Sequence, residues 1–167
     1  MKNDAAVLDT TYVLPLFGIL IDKKTIRAED IAHLWRDGTE SFSPVLPTPC
    51  LLEVVYKLNR LYRKEAKPEI LARYTAVLPS VITNEHVSIF DPYQDIQASR
   101  LAFNLREKGH TDLNDCFIAG IAMKLGGILV TEDEALSKAV RPFTTTNRLE
   151  VLDWEAFFGK ILYHDSK

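Results

Sequence analysis

The stretch TDLNDCFIAGIAMKLGGILVTEDEAL, Thr111 to Leu136, reads as a helix, a tight glycine turn, a short buried strand and the start of a second helix. Phe117, Ile118, Ile121, Ala122 and Leu125 mark the apolar face of the first helix, and Ala119, Gly120 and Ala122 keep it thin for close packing. Gly126–Gly127 reverses the chain into Ile128–Leu129–Val130, an apolar run short enough to be a buried strand. Asp112 is the expected N-cap, with Asp115 three residues later in the favourable field of the helix start. After the strand, Thr131 is expected to cap the next helix, with Glu134 reaching back. Asp133 is not needed for that box and falls beside the strand end.

Working outward, the chain opens with Ala5–Leu8, an apolar run that suits a parallel strand and ends at Asp9. An acid at a strand's carboxyl end, facing a helix start, lies where open α/β sheets bind ligands. On this stretch alone, capping by Asp9 or Thr10 explains the residues equally well. Helices are expected over Thr25–Gly38, from Thr48–Pro49 to about Lys64, over Pro68–Val81 and over Tyr93–Lys108. In the last of these Ile96, Leu101 and Leu105 are expected to face inward. Short strands are expected at Val45–Leu46, Val87–Phe90 and Glu150–Leu152. Trp154–Leu162 reads as a terminal helix docked by Trp154, Phe157 and Phe158. Strands alternating with helices predict an α/β fold: a three-layer α/β/α sandwich around a mainly parallel sheet. The whole of 1–167 is expected to be one domain, with a helical section at about 50–81.

Nearly half of the 167 residues are apolar, 47%, which is enough for a sizeable core and argues against disorder. No apolar run approaches the roughly 20 residues of a membrane span. The opening MKNDAAVLDT lacks the apolar centre of a signal peptide, so the cytoplasm is the expected location. Cys50 and Cys116 fall in predicted helices with no CxxC spacing and read as buried, inert thiols. His33, His86, His110 and His164 show no HxxxH or HExxH pattern, which argues against zinc. A formal charge of −3 does not advertise a nucleic-acid partner. An acidic cluster holding cations would nevertheless reverse the sign at the site itself.

Glu53 shares one helical stripe with Lys57, Arg60 and Lys64. Read plainly, the stripe is a solvated face with an ion pair worth ~0.3–0.5 kcal/mol. Read functionally, Glu53 is the inner end of the stripe and the three basic residues lead outward along a phosphate backbone. Asp9 and Asp133 both follow strands, and strand carboxyl ends share one edge of a parallel sheet. Asp115 reaches that edge on its helix, and Glu53 would complete a four-carboxylate cluster. Such a cluster cannot ionise cheaply without a cation, and an all-oxygen set suits Mg²⁺ or Mn²⁺. Metal-assisted phosphoryl hydrolysis is the chemistry that follows.

At AAVLDTT (Ala5–Thr11), PCLLEVVYKL around Glu53, NDCFIAGIAMKLGGILVTED (Asn114–Asp133) and the closing Leu149–Trp154 segment, the sequence resembles the PIN-domain ribonucleases. The resemblance implies a compact α/β/α fold and cleavage of single-stranded RNA with Mg²⁺ or Mn²⁺. It assigns metal-binding acids to Asp9, Glu53, Asp115 and Asp133, with Thr131 supporting the last and Thr11 beside the site. It also implies a homodimer, and an antitoxin partner for the VapC-like members that act as toxins. The long helical section between Glu53 and Asp115, and Thr11 where Asn is frequent, separate this chain from the shortest toxins. Two other readings remain: a non-catalytic PIN-like module that binds RNA or protein, and a haloacid-dehalogenase-like phosphatase. The phosphatase pattern asks for an acid where Thr11 stands.

Overall fold

The computed structural model describes residues 4–21 and 25–164, with the backbone alone of residues 163 and 164. The expected span 1–167 and the reading of His164 therefore reach beyond the described side chains. Five strands form the sheet: β1 (Asp4–Leu8), β2 (Phe42–Pro47), β3 (Ser88–Phe90), β4 (Ile128–Val130) and β5 (Glu150–Leu152). Their order is β3-β2-β1-β4-β5, and every pairing is parallel. The helices are α1 (Ala28–Asp37), α2 (Thr48–Glu65), α3 (Pro68–Ile82), α4 (Ile96–Glu107), α5 (Leu113–Leu125), α6 (Glu134–Val140), α7 (Thr144–Asn147) and α8 (Trp154–His164). The sandwich expected from the sequence is the fold observed.

The apolar runs behave as a parallel sheet demands. Ala6, Val7, Leu8, Leu129 and Val130 are fully buried, because helices cover both faces. From β1 the chain moves to β2 and β3 on one side, then crosses to β4 and β5 on the other. The strand order therefore reverses between β1 and β4, which makes the carboxyl ends of those two strands the switch point of the sheet. Register carries this alignment to the edge: Leu8 pairs with Val130, and Asp9 N donates to Val130 O at 3.1 Å.

Two glycines set how closely the layers approach. A Cβ on Gly127 would stand 2.1 Å from Ala5 O, and one on Gly120 would stand 2.5 Å from Ala98 O. The first lets the chain enter β4 against β1. The second lets α5 press directly on α4. Residues Cys116 through Met123 of α5 are all buried, as befits a helix covered on every side. Leu125, expected on its apolar face, is 36% exposed.

Helix α4 corrects the sequence reading. It starts at Ile96, after a 3₁₀ turn over Pro92–Gln94, with the Asp95 carboxylate accepting from Ala98 N. Ile96 is 80% exposed, and the buried face is Ala98, Ala102 and Leu105. Small residues win because Gly120 draws the α5 backbone close, leaving no room for isoleucine. The segment after Asp9 forms two 3₁₀ turns, Thr10–Tyr12 and Leu14–Phe17. Trp154 and Phe157 are buried and Phe158 stacks on Trp154, so α8 docks as expected. Cys50 and Cys116 are free and buried, and burial raises both thiols, Cys116 to about 11. No described helix is long and apolar enough to cross a membrane.

Candidate functional site

Each expected acid reaches the switch point for a local reason. Asp9 is the first residue past β1, where its carboxylate caps the following 3₁₀ turn by accepting from Thr10 N at 2.5 Å. The capping role and the strand-end position thus coexist. Helix α2 leaves the end of β2, next to β1, and its Cys50 Sγ approaches Leu8 O at 3.7 Å. One turn on, Glu53 is carried over the end of β1. Helix α5 returns the chain to the start of β4, so its own N-terminus lies at the carboxyl edge. Asp112 caps it, accepting from Asn114 N at 2.8 Å and Asp115 N at 3.3 Å, and Asp115 lies in its first turn.

The cap of α6 differs from the expected one. Asp133 is the N-cap, accepting from Leu136 N at 2.8 Å, and Glu134 is an exposed first-turn residue. Thr131 turns inward instead. Its hydroxyl donates to Asp9 Oδ2 at 2.8 Å and accepts from Asp133 N at 3.1 Å. Tertiary context overrides the box because Thr131 and Asp9 each follow directly on the Leu8–Val130 pair and so meet at the sheet edge.

Asp9, Glu53, Asp115 and Asp133 line one cavity of about 310 Å³, together with Thr10, Thr11, Leu14, Lys57, Asp112 and Glu132. Lys57 is the cation among these lining residues, and its Nζ stands 3.1 Å from Glu53 Oε1. Arg60 and Lys64 are exposed farther along α2. Burial pushes the Asp9 carboxyl up to about 6; the Thr131 and Thr10 hydrogen bonds oppose this, and the charges of Asp115 and Glu53 add to it. Burial also pushes Asp115 up to about 6, with Asp112 and Asp133 adding to the rise and His110 opposing it.

Two members of this wall, Thr10 and Glu132, and His110, which contacts the lining residue Asp115, had no functional signal in the sequence. Thr10, read only as a possible cap, donates from Oγ1 to Glu53 Oε2 at 2.6 Å. Glu132 Oε1 accepts from Tyr12 O–H at 3.1 Å and from Trp154 N at 2.8 Å, pinning the β4 loop to α8. His110 Nε2 stands 3.1 Å from Asp115 Oδ2. None of these pairs has a helix or strand spacing, because each joins separate segments through the fold.

Donor chemistry decides whether these residues fit a divalent cation. The four acids are all-oxygen donors in one cavity, and their mutual repulsion already shows in Asp9 and Asp115. A hard cation relieves that repulsion, so the set fits. As placed, Glu53 faces Thr10 and Lys57, Asp115 faces His110 and Asp133 faces its own helix. Among the described residues no three Asp, Glu, His or Cys side chains converge on one point that could hold an ion.

A larger cavity of about 640 Å³ shares Glu132 with this one. Its walls carry Glu132, Glu134 and Asp153 against Lys138 and Arg141, a balance that does not favour a phosphate tract.

Fold and site together define an α/β/α protein with an acidic, oxygen-rich cleft at the switch point of a parallel sheet. Residues 6–142 match the model of the PIN domain family, and the chain belongs to that family, whose members are nucleases. Two solved structures are similar to it. One is VapBC-5 from Mycobacterium tuberculosis, a member of the VapBC family of toxin–antitoxin systems, at 22% identity and a TM-score of 0.52. The other is VapBC2 from Rickettsia felis bound to a DNA fragment from its promoter, at 16% identity and a TM-score of 0.57. Each match covers 90% of this chain and 98% of the other. At these identities the likeness is one of fold. No curated protein sequence matches the chain.

Proposed function

We propose that this protein is a Mg²⁺- or Mn²⁺-dependent endoribonuclease that hydrolyses phosphodiester bonds of single-stranded RNA. The observation that carries the reading is the convergence of Asp9, Glu53, Asp115 and Asp133 on one cavity, two of them with carboxyls raised by burial and by neighbouring acids. PIN-domain nucleases generally use divalent metal ions. A divalent cation held by these acids supplies Lewis-acid polarisation of the phosphodiester and offsets its developing charge.

The chain's own groups do the positioning. Thr131 and the Thr10 amide hold the two Asp9 oxygens, and Thr10 Oγ1 holds Glu53. Asp133 keeps one oxygen on its helix and turns the other to the cavity. Lys57 leaves Glu53 for a substrate phosphate, and Arg60 and Lys64 extend that contact outward along α2. Thr11 supports the cavity wall.

The whole chain acts as one domain, in the cytoplasm, as a homodimer. On the pattern of the two VapBC proteins, its place is that of the toxin in a toxin–antitoxin pair, restrained by a protein antitoxin.

The experiment offers matched single-stranded RNA, duplex RNA and single-stranded DNA with Mn²⁺. Cleavage of the single-stranded RNA alone is expected. Equal cleavage of duplex or of DNA would overturn the substrate class. Binding of RNA with no cleavage and no uptake of Mn²⁺ would put a non-catalytic module in its place.

A further inference from the structure

His110 does not itself line the acidic cavity, but its ring contacts Asp115, which does. Its side chain is 8% exposed, and Nε2 stands 3.1 Å from Asp115 Oδ2. An ionised carboxylate only accepts, so Nε2 carries the hydrogen and donates. The residue is held by its own backbone. His110 N donates to Leu105 O at 3.4 Å, and His110 O accepts from Arg106 Nη1 at 3.0 Å. His110 therefore hangs from the end of α4, whereas Asp115 belongs to α5. Those two helices pack on each other at Gly120, and the short connection over residues 108–112 joins them.

Asp115 would otherwise be a short side chain in the first turn of a helix, drawn toward its own N–H groups. Asp112 already occupies the amides of Asn114 and Asp115. With the cap filled and Oδ2 held by His110, Oδ1 is the oxygen left for a ligand in the cavity that Asp115 lines. We propose that His110 is a positioning residue, holding Asp115 Oδ2 so that Oδ1 is presented to the divalent cation. The inference rests on the metal reading given under Proposed function. Partners that orient a metal's carboxylate ligands typically matter by roughly 10–100-fold in affinity.

The test is Mn²⁺ affinity, read from the electron paramagnetic resonance signal of the free ion with no RNA present. His110→Leu removes the donor and is expected to weaken binding by roughly 10–100-fold. His110→Gln places an amide N–H where Nε2 stood and is expected to stay within about threefold of wild type. In an Asp115→Asn background, His110→Leu should cost nothing further, because the carboxylate it positions is gone. Circular dichroism confirms that each variant is folded, and His110→Met replaces His110→Leu if the latter is not. Unchanged affinity in the folded apolar variant, or a glutamine variant as weak as the apolar one, would show that His110 only packs. Failure of the wild-type protein to bind Mn²⁺ is a different result: it removes the metal reading, and the role of His110 with it.

Discussion

The Thr131 hydroxyl donates to Asp9 Oδ2 at 2.8 Å, joining residues 122 positions apart across the ends of β1 and β4. The same hydroxyl accepts from Asp133 N at 3.1 Å. One threonine thus holds an acid from each of the two strands that flank the switch point. Replacing it with valine keeps the shape and leaves a buried carboxylate oxygen and an amide unpaired. A loss of roughly 1–3 kcal/mol in urea unfolding is expected, with Thr131→Ser recovering most of it. A valine variant as stable as wild type would show that the hydroxyl is dispensable.

Stability should fall as pH rises across the range where the acidic cavity ionises. Asp9 and Asp115 are raised to about 6 in the folded chain, chiefly by burial. Unfolded, each titrates near ~3.9. Between roughly pH 4 and 6 the folded state holds more protons, so unfolding becomes easier as pH increases. The charge of Asp115 adds to the rise at Asp9, so the two shifts are not independent, and a combined loss of roughly 2–4 kcal/mol is expected. Asp37 and Asp95 are lowered by Arg36 and Lys124, and their effect lies below that range. Metal-free protein should melt lower at pH 7 than at pH 5. Asp9→Asn should flatten the trend and melt above wild type at pH 7. A melting temperature that climbs from pH 5 to pH 7 would contradict this.

The sheet is legible in the sequence wherever burial is uniform. Ala5–Leu8 and Ile128–Val130 are apolar on both faces, which suits a covered parallel strand. The acids that follow them, Asp9 and Asp133, are readable as residues of the sheet's carboxyl edge for the same reason, and both line the cavity there. What sequence does not carry is a side-chain contact that follows no helix or strand spacing. Nothing local announces that Thr131 faces Asp9 instead of capping α6, or that His110 meets Asp115. The expectation for Ile96 fails because hydrophobicity alone ignores the close α4–α5 approach that Gly120 permits, which selects Ala98 and Ala102.

That close approach is itself testable. A methyl group on Gly120 would stand 2.5 Å from Ala98 O and 2.9 Å from Ala102 N, both backbone atoms that cannot yield by rotamer change. Gly120→Ala should cost roughly 1–3 kcal/mol despite the better helix propensity of alanine. Thermal melts against wild type decide it, and a stabilised variant would mean that the two helices do not meet so closely.

The basic stripe on α2 should govern RNA affinity and leave the chemistry intact. Arg60 and Lys64 are exposed and lie outside the acidic cavity. Replacing both with alanine should raise KM with little change in kcat. It should also reduce the salt dependence of binding to single strands, by a slope of about 0.7 for each phosphate no longer neutralised. An unchanged salt slope would place the RNA path elsewhere.

Cleavage of a mixed single-stranded RNA pool reports directly on a carboxylate-held metal site. Wild-type protein with Mn²⁺ is compared with the same protein in EDTA and with Asp9→Asn. Cutting by the wild type that disappears in both controls, with the variant still folded, is the result expected of a carboxylate-held metal site. Cutting that survives EDTA and the Asp9→Asn change would contradict it.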